Sequence, residues 1–391
     1  MASRATIFGN EAYSLVTRFD SWRVLIDESL ASAWDDLANN AAEPNAFNES
    51  WFLRSALEQF DPEARVKLFT LWEKSELVAL MPIAPLPNYG RWPVPHIQNW
   101  LHHNTFLGTP LVRTGFETHF WSELLPLLDR QPGSALFAHF NCLAIDGPLA
   151  AALQMVCKTA RRRCALVHRE ERALLEAGMS TAEYFEAAVR GKKRKELRRQ
   201  KNRLGEEGEL TFVSQWDEAG LDEWTAEFLA LERSGWKGSN GSALDCSEQT
   251  RMLFINALRG AAHRNRLERL ALRLDGRPLA MLVNFLSAPG SFSFKTAFDE
   301  ATSRYSPGVL LQIENLALLE RPDILWCDSC ASEGHPMIDS LWTGRRAIGR
   351  YSVAIGGPGR RTLFGALLKA ELTRAATRKS PSSLRTQGDA E

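Results

Sequence analysis

Apolar positions along this chain follow two periods, and the places where the period changes mark its elements. Between Leu267 and Phe285, two strand-length apolar runs flank Asp275-Gly276. That dipeptide tolerates φ > 0 and so favours a tight hairpin turn. A third strand-like run, Ser291–Phe298, leads into a loop ending Ser306-Pro307-Gly308, and an apolar helix is predicted over Val309–Leu319. A helix that begins just past such a turn presents unpaired backbone N–H groups and a positive dipole end, which together suit an anionic group.

The same reading extends to both sides. In the N-terminal half, helical spacing predicts Ser29–Asn39, Glu49–Phe60 with Asn48 as its N-cap, Phe116–Asp129 and Gly147–Arg163. Strands are predicted at Val66–Trp72 and Leu77–Ala84, paired across Glu73-Lys74-Ser75-Glu76, and at Ala135–Leu143 and Cys164–Arg169. The Pro- and Trp-rich stretch Asn88–Asn104 reads as an ordered loop. In the C-terminal half, Glu183–Leu204 is helical with an interruption near Gly191, followed by a strand at Leu210–Ser214 and helices at Leu221–Ser234 and Ser247–His263. Strands near Ile324–Cys327 and Arg350–Ile355 close the pattern, Arg361–Thr377 reads as a short helix, and Lys379–Glu391 has the composition of a disordered tail. Leu68–Ile83 can be laid on Ala271–Phe285 with Ala79 over Ala280, a polar turn over a polar turn. A duplicated α/β unit would explain that match.

Charge and composition narrow the classes. Lys+Arg and Asp+Glu both number 47, so no global field draws the chain to nucleic acid or membrane. The N-terminus lacks a basic region followed by an apolar core, and Leu77–Leu86, the best apolar run, is short and broken by Pro82 and Pro85. A cytoplasmic protein with no membrane span is the expectation. Six scattered cysteines read as free structural thiols. Cys327 and Cys330 have C-x-x-C spacing but no second ligand pair, so no metal is expected. The sequence contains no G-x-S-x-G, no G-x-x-x-x-G-K-[ST] and no G-x-G-x-x-G, which removes the hydrolase, P-loop and Rossmann readings.

One local charge feature stands out. From Arg190 to Arg203, nine residues are Lys or Arg and only Glu196 is acidic. Arg190, Arg194, Arg198 and Asn202 share one helical face, while Val189, Lys193, Leu197 and Leu204 trace a mostly apolar seam. Like charges at i, i+4 repel, so such a density points to an anionic partner. Near the predicted turn, Arg304 suits a phosphate, Pro307 suits the first helical position, and Gly308 lets backbone approach a ligand.

Lys295-Thr296-Ala297-Phe298-Asp299 and Arg304-Tyr305-Ser306-Pro307-Gly308-x-Leu310-Leu311, with Gly191–Gly208, Leu231–Leu244 and Asp328–Arg346, resemble the acetyltransferase domain of the GNAT superfamily. The likeness runs over roughly residues 180–350. It is to the branch associated with cellulose and exopolysaccharide biosynthesis, related to the Fem peptidyltransferases. The usual phosphate-loop signature has Arg or Gln, two residues, Gly, one residue, then Gly or Ala. Here the spacing is off by one and the second small residue is missing.

The resemblance implies two tandem GNAT-like halves, mixed sheets flanked by helices, and transfer of an acetyl or other acyl group from acyl-CoA to an amine or hydroxyl. The acceptor would be glycan-linked or another cell-envelope precursor. Residues 1–170 would form a half without an intact phosphate loop, 171–355 the acetyltransferase half, and 356–391 a basic, partly disordered tail. Phe294, Lys295, Thr296, Arg304, Ser306, Pro307, Gly308 and Val309 would hold the coenzyme. The candidate acids and bases are His335, Asp328 and Tyr305, with Glu333 and Asp299 behind them; histidine leads because it is the side chain that titrates near neutrality. Lys295 would pair with Asp299, or face the acceptor or a phosphate. Arg194, Arg198, Trp236, Lys237, Arg345 and Arg346 would bind the acceptor, with Ser234–Ser242 as a lid. Two other readings stay open: a Fem-like transferase using aminoacyl-tRNA, and a non-catalytic binder of anionic polymers or membrane surfaces.

Overall fold

The computed structural model describes residues 4–7 and 12–379. Its strands are β1 (Arg4–Ile7), β2 (Ala12–Ser21), β3 (Lys67–Glu73), β4 (Glu76–Leu86), β5 (His96–Asn99), β6 (Leu111–Val112), β7 (Phe137–Ala144) and β8 (Cys164–Glu176) in the first half. In the second they are β9 (Leu210–Gln215), β10 (Leu267–Leu274), β11 (Arg277–Ser287), β12 (Gly290–Phe298), β13 (Trp326–Asp328) and β14 (Gly344–Ala354). They form one mixed sheet in the order β1-β2-β3-β4-β5-β7-β14-β8-β13-β12-β11-β10-β9, with β6 on β4.

The duplication suggested by the hairpins is present in the register. Leu71 faces Ala79 and Leu272 faces Ala280, and each ladder bulges one residue later. Both hairpins turn through two residues, Lys74-Ser75 and Asp275-Gly276, with positive φ at Lys74, Asp275 and Gly276 as such turns require. The correspondence continues, since Ile83 faces Asn99 as Asn284 faces Ser293. Each half then holds one parallel pair, β5 with β7 and β12 with β13. The halves exchange their final strands: β8 pairs with β13, and β14 pairs with β7. β8 and β14 also pair with each other, so one sheet runs through both halves. The expected domain limit at residue 170 falls inside β8.

Helices cover both faces. Ser247 caps Glu248–His263, Asp27 caps Glu28–Asn39, and a reciprocal Ser180–Glu183 capping box starts Thr181–Ala188. The helices Ser50–Phe60, Leu221–Ser234 and Glu248–His263 bury Phe52, Phe228 and Phe254 on one face of β10–β12. Gly191–Gly205 and Pro307–Glu314 cover the other through Leu197, Leu204, Leu310 and Leu311.

Several expectations are corrected. Asn48 is not an N-cap: it closes a short 3-10 turn and donates to the Thr109 carbonyl, leaving Glu49 at the cap position. Asn88–Asn104 contains strand β5, and its irregular flanks hid a strand of only four residues. β8 and β14 run longer than predicted, because pairing with each other overrides their polar composition. The helix predicted over Val309–Leu319 ends at Glu314 and continues as a 3-10 segment, Asn315–Glu320. The C-terminal helix spans Pro358–Lys379, and the tail beyond it lies outside the described residues.

Candidate functional site

The site begins where β12 and β13 part. Their parallel ladder holds for three residues, Gly290–Phe292 against Trp326–Asp328, and then ends. β12 carries a bulge at the same place: Val283 faces Lys295 and Asn284 faces Ser293, so Phe294 is the extra residue. Further on, the Thr296 carbonyl accepts from Lys237 Nζ at 3.3 Å. A 3-10 segment, Glu300–Tyr305, links β12 to the helix Pro307–Glu314, which packs on the sheet with its start against Phe298 at the end of β12.

The N-terminal half has the same parting and closes it. After Gln98, the residue in the position of Ser293 is Asn99, which is fully buried. Its side chain donates to the Asn141 and Gly108 carbonyls at 2.8 and 2.9 Å and accepts from the Asn141 N–H at 2.8 Å. An amide side chain thus continues the ladder across the gap, which Ser293 is too short to do. The helix Glu117–Arg130, which corresponds to Pro307–Glu314, has its start occupied by its own Glu117, which accepts from the Gly115 N–H. Asn99→Ala should destabilise the chain by about 1–3 kcal/mol for each Asn141 backbone group left unpaired. Urea denaturation checks this, and a change within experimental error would refute the zipper.

Lys295, on β12 beyond the end of the parallel ladder, has its Nζ 5.3 Å from the Phe106 ring centre and 5.5 Å from that of Phe294. It does not pair with Asp299, which binds Arg277 at 3.0 Å instead. Burial, and then the like charge of Lys237, push the Lys295 ammonium down to about 8. Lys237 is itself held by buried Glu232 at 2.8 Å. His102, from the other half of the chain, is near enough that, after burial and His103, the Lys295 charge also lowers its pKa. Its Nδ1 accepts from the Asn104 N–H at 3.3 Å, which assigns the proton to Nε2, and that nitrogen is buried without a hydrogen-bond partner. Burial pushes His102 down to about 3, so the ring stays neutral between Phe60 and Phe52, at 4.7 and 5.9 Å.

The other expected residues separate into groups. Asp328 is fully buried, and its oxygens take the Cys330 N–H at 2.9 Å and Arg346 at 3.1 Å, with Arg172 at 3.6 Å. It clamps β8, β13 and β14 together and is no open base. Arg346 lies over the Trp326 ring at 4.4 Å, so it too is spent within the protein. Arg345 donates to the Trp342 and Gly344 carbonyls. Tyr305 turns its hydroxyl to Glu207 past the end of the basic helix, and that bond pushes its pKa up; it sits away from Lys295 as an acid. Arg304 pairs with the same Glu207 at 2.8 Å and stays 70% exposed.

The turn before Pro307–Glu314 has Ser306 at φ +53°, Pro307 at the first helical position, and the Val309 N–H on the Ser306 carbonyl. Gly308 is buried, and a Cβ there would meet Met337 Sδ at 3.1 Å and Phe298 at 3.3 Å. His335 starts the short helix Pro336–Asp339 that carries Met337, and its own Nδ1 is buried without a partner. Glu333 accepts from the Glu171 N–H. Ser234–Ser242 is no free lid: it winds into the helix Trp236–Ser239, with Trp236 exposed and its N–H on Glu300. Arg194 donates to the Glu186 and Val189 carbonyls, and Arg198 faces solvent. Among the described residues no three His, Cys, Asp or Glu side chains converge as a metal site, and Cys327 and Cys330 are buried free thiols raised by burial. No helix there is long and apolar enough to cross a membrane.

Residues 191–331 match the acetyltransferase (GNAT) domain. The matched span contains the parting of β12 and β13, Lys295 and the Ser306–Gly308 turn. Among solved structures, the chain is similar to FemX at 9% identity and a TM-score of 0.54, covering 82% of this chain and 95% of that one. It is also similar to the C-terminal domain of a putative lysylphosphatidylglycerol synthetase from Agrobacterium fabrum, at 14% identity and a TM-score of 0.51, covering 88% and 95%. A tandem GNAT protein from the clavulanic acid biosynthesis pathway aligns at 16% identity and a TM-score of 0.42, covering 88% and 99%. The first two likenesses speak for fold alone. No curated protein matches the sequence.

His102, Glu232, Arg172 and Asn99 were not singled out in the sequence. Each is a common residue outside any motif, and only the sheet brings them to the two partings.

Proposed function

We propose that the C-terminal half transfers an acyl group, most simply acetyl, from coenzyme A to an amine or hydroxyl. The observation that carries this reading is the parting of β12 from β13, with the helix Pro307–Glu314 starting against the end of β12. An extended chain can lie along an unpaired strand edge and hydrogen-bond to it, as a pantetheine arm would. The start of Pro307–Glu314, with Ser306 and the N–H of Gly308, would take the pyrophosphate, while the Val309 N–H is already held by the Ser306 carbonyl, and Arg304 is exposed for a further phosphate. Backbone N–H groups of β12 would steady the thioester oxygen as charge develops. Lys295, poised near neutrality, would take the proton from the attacking group. His102 Nε2–H would donate to the acceptor from the opposite wall. His335, brought by Met337 to the same turn, remains a candidate for protonating the departing thiolate. A cytoplasmic cell-envelope or exopolysaccharide precursor is the acceptor class this reading takes over from the resemblance.

Calorimetric titration with acetyl-CoA should give one site per chain, since Asn99 closes the second parting. Gly308→Trp should abolish that binding, because its side chain has to displace Met337 and Phe298 where the phosphates would lie. A thermal melt of the variant separates loss of the site from loss of fold. Absence of binding to acetyl-CoA and to longer acyl-CoAs would overturn the reading.

A second reading keeps the fold but takes the acyl group from aminoacyl-tRNA. The basic helix favours it: Lys192, Lys193, Lys195 and Arg203 are exposed, without an ion pair among the described residues. Stabilisation by charged tRNA but not by acetyl-CoA would select it. Salt-sensitive polyanion binding with no thiol release from any acyl-CoA would select a non-catalytic binder.

A further inference from the structure

A cavity of about 150 Å³ lies between the basic helix Gly191–Gly205 and the helix Pro307–Glu314, outside the opening just described. From Pro307–Glu314 it takes only Leu310, Ile313 and Glu314, so the phosphate turn is not part of it. Its floor is Leu197 and Leu310, both buried against the sheet. Its walls are apolar too: Phe185, Phe212 and Ile313 are only partly buried, so rings and methyl groups remain in reach of solvent.

The rim is cationic. Arg194, Arg198 and Lys201 stand along it at spacings of three and four residues on one helical face. Glu314 is the one carboxylate of the lining, and Lys201 pairs with it at 3.2 Å while lying 4.4 Å over the Phe212 ring. That leaves two guanidinium groups without an ion pair among the described residues. Among the described residues, Arg194 is steadied by the Glu186 and Val189 carbonyls, each at 2.6 Å, which fix its direction and leave its charge unneutralised. Arg198 is exposed and makes no ion pair among the described residues. An apolar pocket would ordinarily shed nearby charge, whereas this one has two unneutralised arginines at its mouth.

We propose that this cavity binds an amphipathic anion, with its acidic head on Arg194 and Arg198 and its apolar tail between Phe185, Phe212 and Ile313. Either half of such a ligand matches half of the lining, and neither half alone accounts for both. A phosphate needs no ring-lined pocket, and a neutral hydrocarbon needs no guanidinium. The ligand could be a soluble amphiphile or an acidic lipid of a membrane surface, since both present the same chemistry. The inference does not depend on acyl-CoA binding, which uses other residues.

The test titrates the full chain with decyl phosphate below its micelle concentration, alongside inorganic phosphate, decanol and decyltrimethylammonium. Decyl phosphate should bind at least about tenfold more tightly than the other three, and Arg198→Glu should remove most of that advantage. Ile313→Gln should weaken the decyl compound while leaving the melting temperature within a few degrees; Phe212→Ser serves if it does not. Equal binding of the cationic and anionic decyl compounds, or unchanged binding to Arg198→Glu, would overturn the proposal. Sedimentation with phosphatidylglycerol vesicles but not phosphatidylcholine vesicles, lost in Arg198→Glu, would assign the ligand to a lipid surface. Decyl phosphate binding without vesicle binding would assign it to a soluble amphiphile.

Discussion

Lys295→Met is expected to slow acyl transfer by roughly 10²–10⁴-fold, the usual contribution of a positioned general base. The variant keeps the length and apolar stem that pack against Phe106 and Phe294 and removes only the amine. The pH profile is the sharper readout. Lys295 is pushed down to about 8 by burial and by Lys237, so the fraction of neutral amine rises through that pH. The wild-type rate should climb with an apparent pKa near 8, and this limb should vanish in Lys295→Met. Lys295→Arg restores a charge but no base at any working pH, so it should stay slow. Fast turnover by Lys295→Arg would reassign the residue to charge stabilisation, and a Lys295→Met rate within about threefold of wild type would remove it from the chemistry.

The same shift bears on stability, with a fixed sign. Between about pH 8 and the ordinary lysine range, the unfolded chain holds a proton that the folded chain has released. Stability from this group therefore rises with pH across that window and is lowest below it.

Asp328→Ala should destabilise the protein by about 3–5 kcal/mol, the cost of breaking a buried ion pair from one side. Asp328 has no solvent exposure, and its carboxylate meets Arg346 at 3.1 Å, Arg172 at 3.6 Å and the Cys330 N–H at 2.9 Å. Arg172 is buried as well, so the variant strands its positive charge in the protein interior. The clamp lies where β8 of one half meets β13 and β14 of the other. Loss of Asp328 should therefore loosen both halves together. Asp328→Asn keeps the shape and one acceptor and should fall between wild type and alanine. Denaturant unfolding measures the series; a loss under about 1 kcal/mol would mean that the arginines find other partners, as surface pairs do.

Much of the fold is legible before any coordinates. The Asp275-Gly276 turn, the apolar runs beside it and the helix past Pro307 appear where the pattern puts them. So does the repeat, because hairpins are set by residues a few positions apart. β5 is too short to read, and its partners β4 and β7 lie outside its own stretch, while the full length of β8 and β14 comes from pairing with each other and with strands far along the chain. The site divides in the same way. Gly308 and Arg304 belong to a local motif and can be found by reading. His102 has no local mark, and it reaches the β12 wall only because Phe52, Phe60 and Phe106 join the shared aromatic core.

The sequence by itself determined the elements, the duplicated hairpin and the turn that could receive an anion, because these depend on backbone preference and side-chain period over short spans. It offered His335, Asp328 and Tyr305 as acids and bases and Lys295 as a residue that would hold the coenzyme. The tertiary structure set their surroundings: it put Lys295 beside Phe106, locked Asp328 between arginines, and turned Tyr305 to Glu207. It also decided which of two like partings is closed, by placing Asn99 across one and Ser293 beside the other. Burial and charge neighbours set the reactivity of a side chain, and both are properties of the assembled sheet.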